Sequence, residues 1–221
     1  MAGYARLNLL LGRDFDKALF KALRKEVQPK LTLAAANISK RLQDRFKQLI
    51  WDHNTVRALI SGSSQGGVNL RGELGVNTPT ARLRTIIETL AQQLVLTNKP
   101  LKVQANGLRG GFRLQMIEAD WRKVTNLNEA WIKERTKVDF PWLDWLLTQG
   151  SKVVVREYDV HIQVGTGRTG KAHMRKNYNR KMWNVPPEFS GTTKDNFVTD
   201  ILDILEIELK QIMPQELKKI T

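Results

Sequence analysis

The sequence predicts an α+β fold: a small, mainly antiparallel sheet packed against helices, with helical segments at the N- and C-termini. Three observations predict it. Apolar residues recur at helical spacing through the first 50 residues and again after Thr193. Between them, the stretches 101–117 and 152–164 alternate apolar and polar side chains, as half-buried strands do. The repeated strand–helix–strand units that a parallel sheet requires are missing.

At the N-terminus, Asp14 is placed to cap a helix, because a short carboxylate accepts hydrogen bonds from unpaired N–H groups. Phe15, Leu19, Ala22 and Leu23 follow at helical spacing. Pro29 is expected to interrupt the run, since it has no N–H and crowds the preceding turn. A second helix then carries Leu31, Ala34, Ile38, Leu42, Phe46 and Leu49 on one face and Lys40, Arg41, Arg45 and Lys47 on the other. The sequence Ser-Gly-Ser-Ser-Gln-Gly-Gly at 61–67 has almost no side chain to pack and marks a loop or hinge. It divides the chain into an N-terminal helical arm, 1–60, and an α+β body, 61–221.

In the body, Thr78-Pro79 supplies a cap and a proline at the first helical position. Leu83, Ile86, Ile87, Leu90 and Leu94 then trace the clearest amphipathic helix in the chain. Leu101, Val103 and Ala105 alternate with polar residues, as do Phe112, Leu114 and Met116. With Asn106-Gly107 and Gly110-Gly111 between them, these runs read as a hairpin. Trp121 and Trp131 are expected as core anchors. After Pro141, the segment Trp142–Leu147 is apolar except at Asp144, so this short helix is buried or an assembly contact. The best strand is 152–164. The last helix begins near Thr193 and carries Val198, Leu202, Leu205, Leu209 and Ile212, with Pro214 ending or kinking it.

Composition excludes several functions. The chain has no cysteine, which removes disulfides, cysteine-based zinc sites and thiol catalysis together. No apolar stretch approaches the roughly 20 residues a membrane helix needs. The N-terminal apolar run has no basic leader or small-residue cleavage site, so no signal peptide is expected there. The net charge is +14, and residues 1–50, with 11 Lys/Arg and 4 Asp/Glu, supply half of it. Such a surplus favours an anionic partner: nucleic acid, an acidic protein surface or a membrane surface.

The segment Gly165–Lys171 has the G-x-x-x-x-G-K spacing of a phosphate-binding loop. The position that should ligate magnesium is Ala172, however, and no later strand offers the companion aspartate. A basic loop, 165–181, is the better reading. Arg168, Lys171, Arg175, Lys176, Arg180 and Lys181 lie in a stretch free of acids and are expected to contact nucleic acid or an acidic neighbour. His53, His161 and His173 do not form a spaced ligand set, and Asp14/Asp16 and Glu206/Glu208 sit on amphipathic helices. No nucleophile elbow occurs. The expectation is therefore a protein that is not an enzyme and uses no cofactor or metal. Six tryptophans suit an interface as well as a core, and Trp142 and Trp145, three apart on one short helix, are the candidates for a subunit interface.

Three stretches occur in a telling order. Leu70-Arg-Gly-Glu-Leu-Gly75 follows a glycine-rich loop and precedes a helix. Pro141-Trp-Leu-Asp-Trp-Leu-Leu147 leads through Gly150 into strand Val153–Ile162 and the loop Gly167–Met174. Trp183-Asn-Val-Pro-Pro-Glu-Phe-Ser-Gly-Thr192 leads through Asn196-Phe197 into the last helix. This order resembles virion structural proteins of tailed bacteriophages, of the neck, head–tail connector or tail-completion type. The resemblance implies an α+β adaptor that assembles as a ring of six or twelve copies around the DNA passage. It also implies portal, adaptor or tail proteins as neighbours, packaged double-stranded DNA as a further partner, no cofactor, and a place in a virion assembled in the host cytoplasm. The family offers no catalytic residues to transfer.

Overall fold

The computed structural model describes residues 13–61, 70–104, 107–115, 121–132, 139–150, 152–155, 158–161, 173–176 and 183–219. Among these, the fold is mainly helical, with antiparallel two-stranded pairs between helical terminal segments, the α+β arrangement expected. The chain forms two compact units. Unit 1 comprises Met1–Lys40, Val95–Gln115 and Gln211–Thr221, and unit 2 comprises Arg41–Leu94 and Met116–Lys210. The boundary expected at residue 60 falls inside a helix of unit 2, Asn54–Ser61.

Helix α1, Arg13–Asp52, contributes its first part to unit 1 and the rest to unit 2. It runs through Pro29, against expectation. Proline removes one backbone donor, and the carbonyl four residues back belongs to Lys25, an exposed residue, so the missing bond costs less there than in a core.

Unit 1 also holds the hairpin β1, Val95–Gln104, and β2, Gly107–Gln115. Both strands are longer than the alternation suggested. Gly110-Gly111 lies within β2 rather than in the connection, and β1 starts six residues before Leu101. The ladder shifts register between Lys99 and Lys102, around Pro100, which has no N–H to give it. Three polar side chains of α1 hold β1 in place. Leu101 N donates to Gln28 Oε1 at 2.6 Å, Asn98 Nδ2 to Thr32 Oγ1 at 3.2 Å, and Leu96 N to Ser39 Oγ at 2.8 Å. Buried Ala34, Ala35 and Ile38, with Leu96 and Leu101, supply the apolar part of this unit.

Unit 2 has the larger core. Helices α2, Asn54–Ser61, α3, Leu70–Leu74, and α4, Pro79–Ala91, bury Val56, Leu59, Leu70, Leu74, Leu83, Ile86, Ile87 and Leu90. Leu42, Phe46 and Ile50 of α1 are buried in the same unit. Leu49, expected on that face, is only half-buried, and Ile50 takes the place. Thr78 precedes α4 but does not cap it: its backbone is left-handed, at φ 43°, and its side chain makes no capping bond. The helix still starts at Pro79, as the proline rule requires. A short helix α5, Arg122–Thr125, and a single 3-10 turn, Asn128–Ala130, lead to α6, Trp142–Leu147. Trp121 is a core residue and donates through its ring to Thr193 O at 3.0 Å, while Trp131 is half-buried.

Of the expected strand 152–164, residues 156–157 and 162–164 lie outside the described residues, and the described parts on either side of 156–157 pair with different strands. β3, Val153–Val155, pairs with β6, Trp183–Asn184. β4, Tyr158–His161, pairs with β5, His173–Lys176. The last helix, α7, is Phe197–Leu217, and it too continues past its proline, Pro214. It starts four residues after Thr193 because Asn196 is the cap. Asn196 Oδ1 accepts from the N–H groups of Val198 and Thr199 at 3.0 and 3.3 Å. Its Nδ2 donates to the carbonyls of Leu147 and Thr192 at 3.2 and 2.9 Å. One buried amide thus fixes the ends of both α6 and α7. Gly191 lies beside it, where a Cβ atom would collide with Asn196 and with the Leu146 carbonyl.

Candidate nucleic-acid interface

Charge is unequally divided between the two units. Unit 1 holds 14 Lys/Arg and 4 Asp/Glu, a surplus of 10 out of the chain's 14, and unit 2 holds 22 and 18, a surplus of 4. Within unit 1 the hairpin segment 95–115 contains Lys99, Lys102, Arg109 and Arg113 and no acid at all.

The hairpin register decides where these four point. Leu96 faces Leu114, Asn98 faces Phe112 and Val103 faces Leu108, and cross-strand partners share a face. These six, with Leu101, are buried or half-buried and form the inner face. The other face pairs Thr97 with Arg113, Lys99 with Gly111, and Lys102 with Arg109. Lys99, Lys102, Arg109 and Arg113 are all exposed there. The outer face is therefore uniformly basic. Two like charges, Lys102 and Arg109, stand directly opposite one another, which costs a hairpin up to about 1 kcal/mol unless an anion lies between them. Gly111 leaves open space in the middle of this face, since a Cβ there would touch nothing within 4 Å. A bare backbone position in a strand permits close approach of a ligand. Such a surface suits a row of phosphates.

The sequence reading singled out a different cluster. Arg168, Lys171, Arg180 and Lys181 lie outside the described residues. Arg175 and Lys176 are in β5, where the register sets Arg175 opposite Asp159 and Lys176 opposite Tyr158. The same ladder sets His161 opposite His173. Among the described residues no group of three metal-ligating side chains occurs.

Trp142 and Trp145, the pair expected at a subunit interface, separate. Trp142 is fully buried in unit 2 and donates through its ring N–H to Glu129 O at 2.8 Å, so it has no surface to offer a neighbour. Its partner Trp145 is half-buried and stacks on Phe140 at a centroid distance of 6.3 Å, leaving part of its ring outside. Helical spacing put the two on one face, but α6 is buried on more than one side, and only the outer of the two rings reaches the surface.

Three further described polar groups of unit 2 make contacts that tie the fold together. Arg45 donates to both oxygens of Glu208 at 2.8–3.1 Å, and these hydrogen bonds hold the Glu208 carboxyl below its ordinary pKa and the Arg45 guanidinium above its own. Half-buried His53 accepts from Thr55 N at 3.2 Å and lies 3.8 Å from Asp200, and burial pushes its pKa down. A shallow depression of about 340 Å³ beside α4 is lined by Thr78, Arg82, Asn128 and Glu129. Its one guanidinium, Arg82, already donates to the carbonyls of Asn128, Glu129 and Trp131 at 2.8–3.3 Å. It ties α4 to the following turn and is no free anion ligand.

No family model, curated protein or solved structure matches this chain.

Proposed function

We propose that the protein is a structural component of a tailed-phage virion: a ring-forming neck, head–tail joining or tail-completion protein that lines or surrounds the DNA passage. The observation that carries the DNA contact is the outer face of the β1–β2 hairpin, with four exposed bases and no acid. The motif order at 70–75, 141–174 and 183–197 supports the virion setting. On this reading the protein is not an enzyme and binds no cofactor. Its partners are copies of itself, portal, adaptor or tail proteins, and double-stranded DNA, met through sequence-independent phosphate contacts.

The test is a native mass measurement of the purified protein with and without duplex DNA. A discrete oligomer of six or twelve copies that binds duplexes of unrelated sequence equally is expected. A protein that stays monomeric at every concentration and is absent from purified particles overturns the reading. The same hairpin face favours a second reading, a stand-alone basic nucleic-acid-binding protein. DNA binding by a strictly monomeric protein selects that one.

A further inference from the structure

The first part of α1 carries a largely apolar seam, broken only by Glu26, that nothing among the described residues covers. From Phe15 to Leu33 no residue is buried. Phe15, Leu19, Ala22, Glu26, Pro29 and Leu33 are all exposed and step by four and three residues alternately, the spacing of a helix–helix seam. Leu23 flanks the seam, and Phe15, Leu19, Leu23 and Leu33 are 39–64% exposed. The residues that hold the hairpin, Gln28, Thr32 and Ser39, lie on another side of the helix. Segment 13–33 as a whole is basic, with Arg13, Lys17, Lys21, Arg24, Lys25 and Lys30 against Asp14, Asp16 and Glu26, and Lys25 and Lys30 are the bases nearest the seam. A helix in water draws most of its stability from packing, so a bare stripe of this length asks for a partner.

A second surface answers it in both shape and charge. On α7, Asp200, Ile204, Ile207 and Gln211 are exposed at the same four–three–four spacing. Ile204 and Ile207 are 43% and 62% exposed. Their surround is acidic: Asp203 and Glu206 are exposed, against one base, Lys210. One exposed apolar stripe thus belongs to a basic segment and the other to an acidic one.

We infer that the 13–33 segment of one copy docks on the outer face of α7 of a second copy. The contact joins two different surfaces, so each copy has one of each free for a further neighbour, and the chain of contacts closes into a ring or runs on as a filament. This inference rests on the proposed ring assembly and names the surfaces that build it.

Two variants test it, both at exposed positions: Leu19→Asp with Leu23→Asp on the arm, and Ile204→Lys with Ile207→Lys on α7. Each is checked for unchanged thermal melting, and masses are measured by light scattering. Each variant alone should be a monomer. Their equimolar mixture should give a dimer and nothing larger, because only one intact arm and one intact face remain between them. A wild-type oligomer that survives in either variant overturns this docking but leaves the ring proposal standing, and survival in the α7 variant alone points to arm-on-arm pairing. Two monomeric variants that fail to pair on mixing also overturn it. A monomeric wild type overturns the docking and the ring proposal together.

Discussion

The two units of the chain solve different physical problems. Unit 2 has a thick apolar core among its described residues, and the polar groups of Asn196, Arg82 and Trp142 are paired with backbone atoms around it. Its charges nearly balance, with a surplus of 4. Unit 1 has a thin core, polar side-chain stitches from helix to strand, an unpaired apolar seam and a surplus of 10. A surface that repels itself and exposes leucines is poor for solitary stability and good for meeting partners. The difference teaches that stability is concentrated in unit 2, whereas the proposed DNA-contacting face and the proposed docking arm belong to unit 1.

Breaking unit 2 should therefore cost the most. Trp142→Ala removes a fully buried ring and its hydrogen bond, and should destabilise the protein by about 3–5 kcal/mol in urea unfolding. Asn196→Ala, which uncaps α7 and leaves the Leu147 carbonyl without its donor, should cost about 2 kcal/mol. Changes to the hairpin face should act in the opposite sense. Lys102→Gln with Arg109→Gln relieves a like-charge pair, so stability should rise by up to about 1 kcal/mol while affinity for duplex DNA falls roughly tenfold. A loss of both stability and affinity would show that these residues serve the fold instead.

The smallest effect is a pH effect in unit 2. Arg45 lowers the pKa of Glu208 in the folded state, so this pair stabilises the protein above the ordinary carboxylate range. That contribution is lost as pH falls through the folded pKa. The pair is partly exposed, so it is worth no more than about 1 kcal/mol. Glu208→Gln should flatten the acid limb of a stability–pH curve by this amount and leave neutral-pH DNA binding unchanged.

How far the sequence revealed this depends on how local each signal was. The helix at 79–91 was legible because strict apolar spacing and Pro79 say the same thing. The burial of α6 was legible from its composition, but which of Trp142 and Trp145 faced outward was not, since that depends on what packs on each side. Pro29 reads as an interruption and Pro214 as an end or a kink, yet neighbouring turns carry both helices across them. Strand 152–164 read as one run because alternation does not reveal a change of partner between β3 and β4. The basic face of the hairpin stayed hidden for a similar reason. Its four bases are spread over two strands, with Pro100 breaking the alternation of the first, and only the register collects them on one side. The run at 168–181 is contiguous in sequence and needs no register to be seen.

The central claim is that the outer hairpin face meets the phosphates of duplex DNA. The direct measurement is the salt dependence of duplex binding by the wild-type protein and by a variant with Lys99, Lys102, Arg109 and Arg113 all changed to Gln. Each phosphate contact contributes about 0.9 to the slope of log affinity against log salt, so the variant's slope should be shallower by about 3–4. An unchanged slope with unchanged affinity would contradict the account.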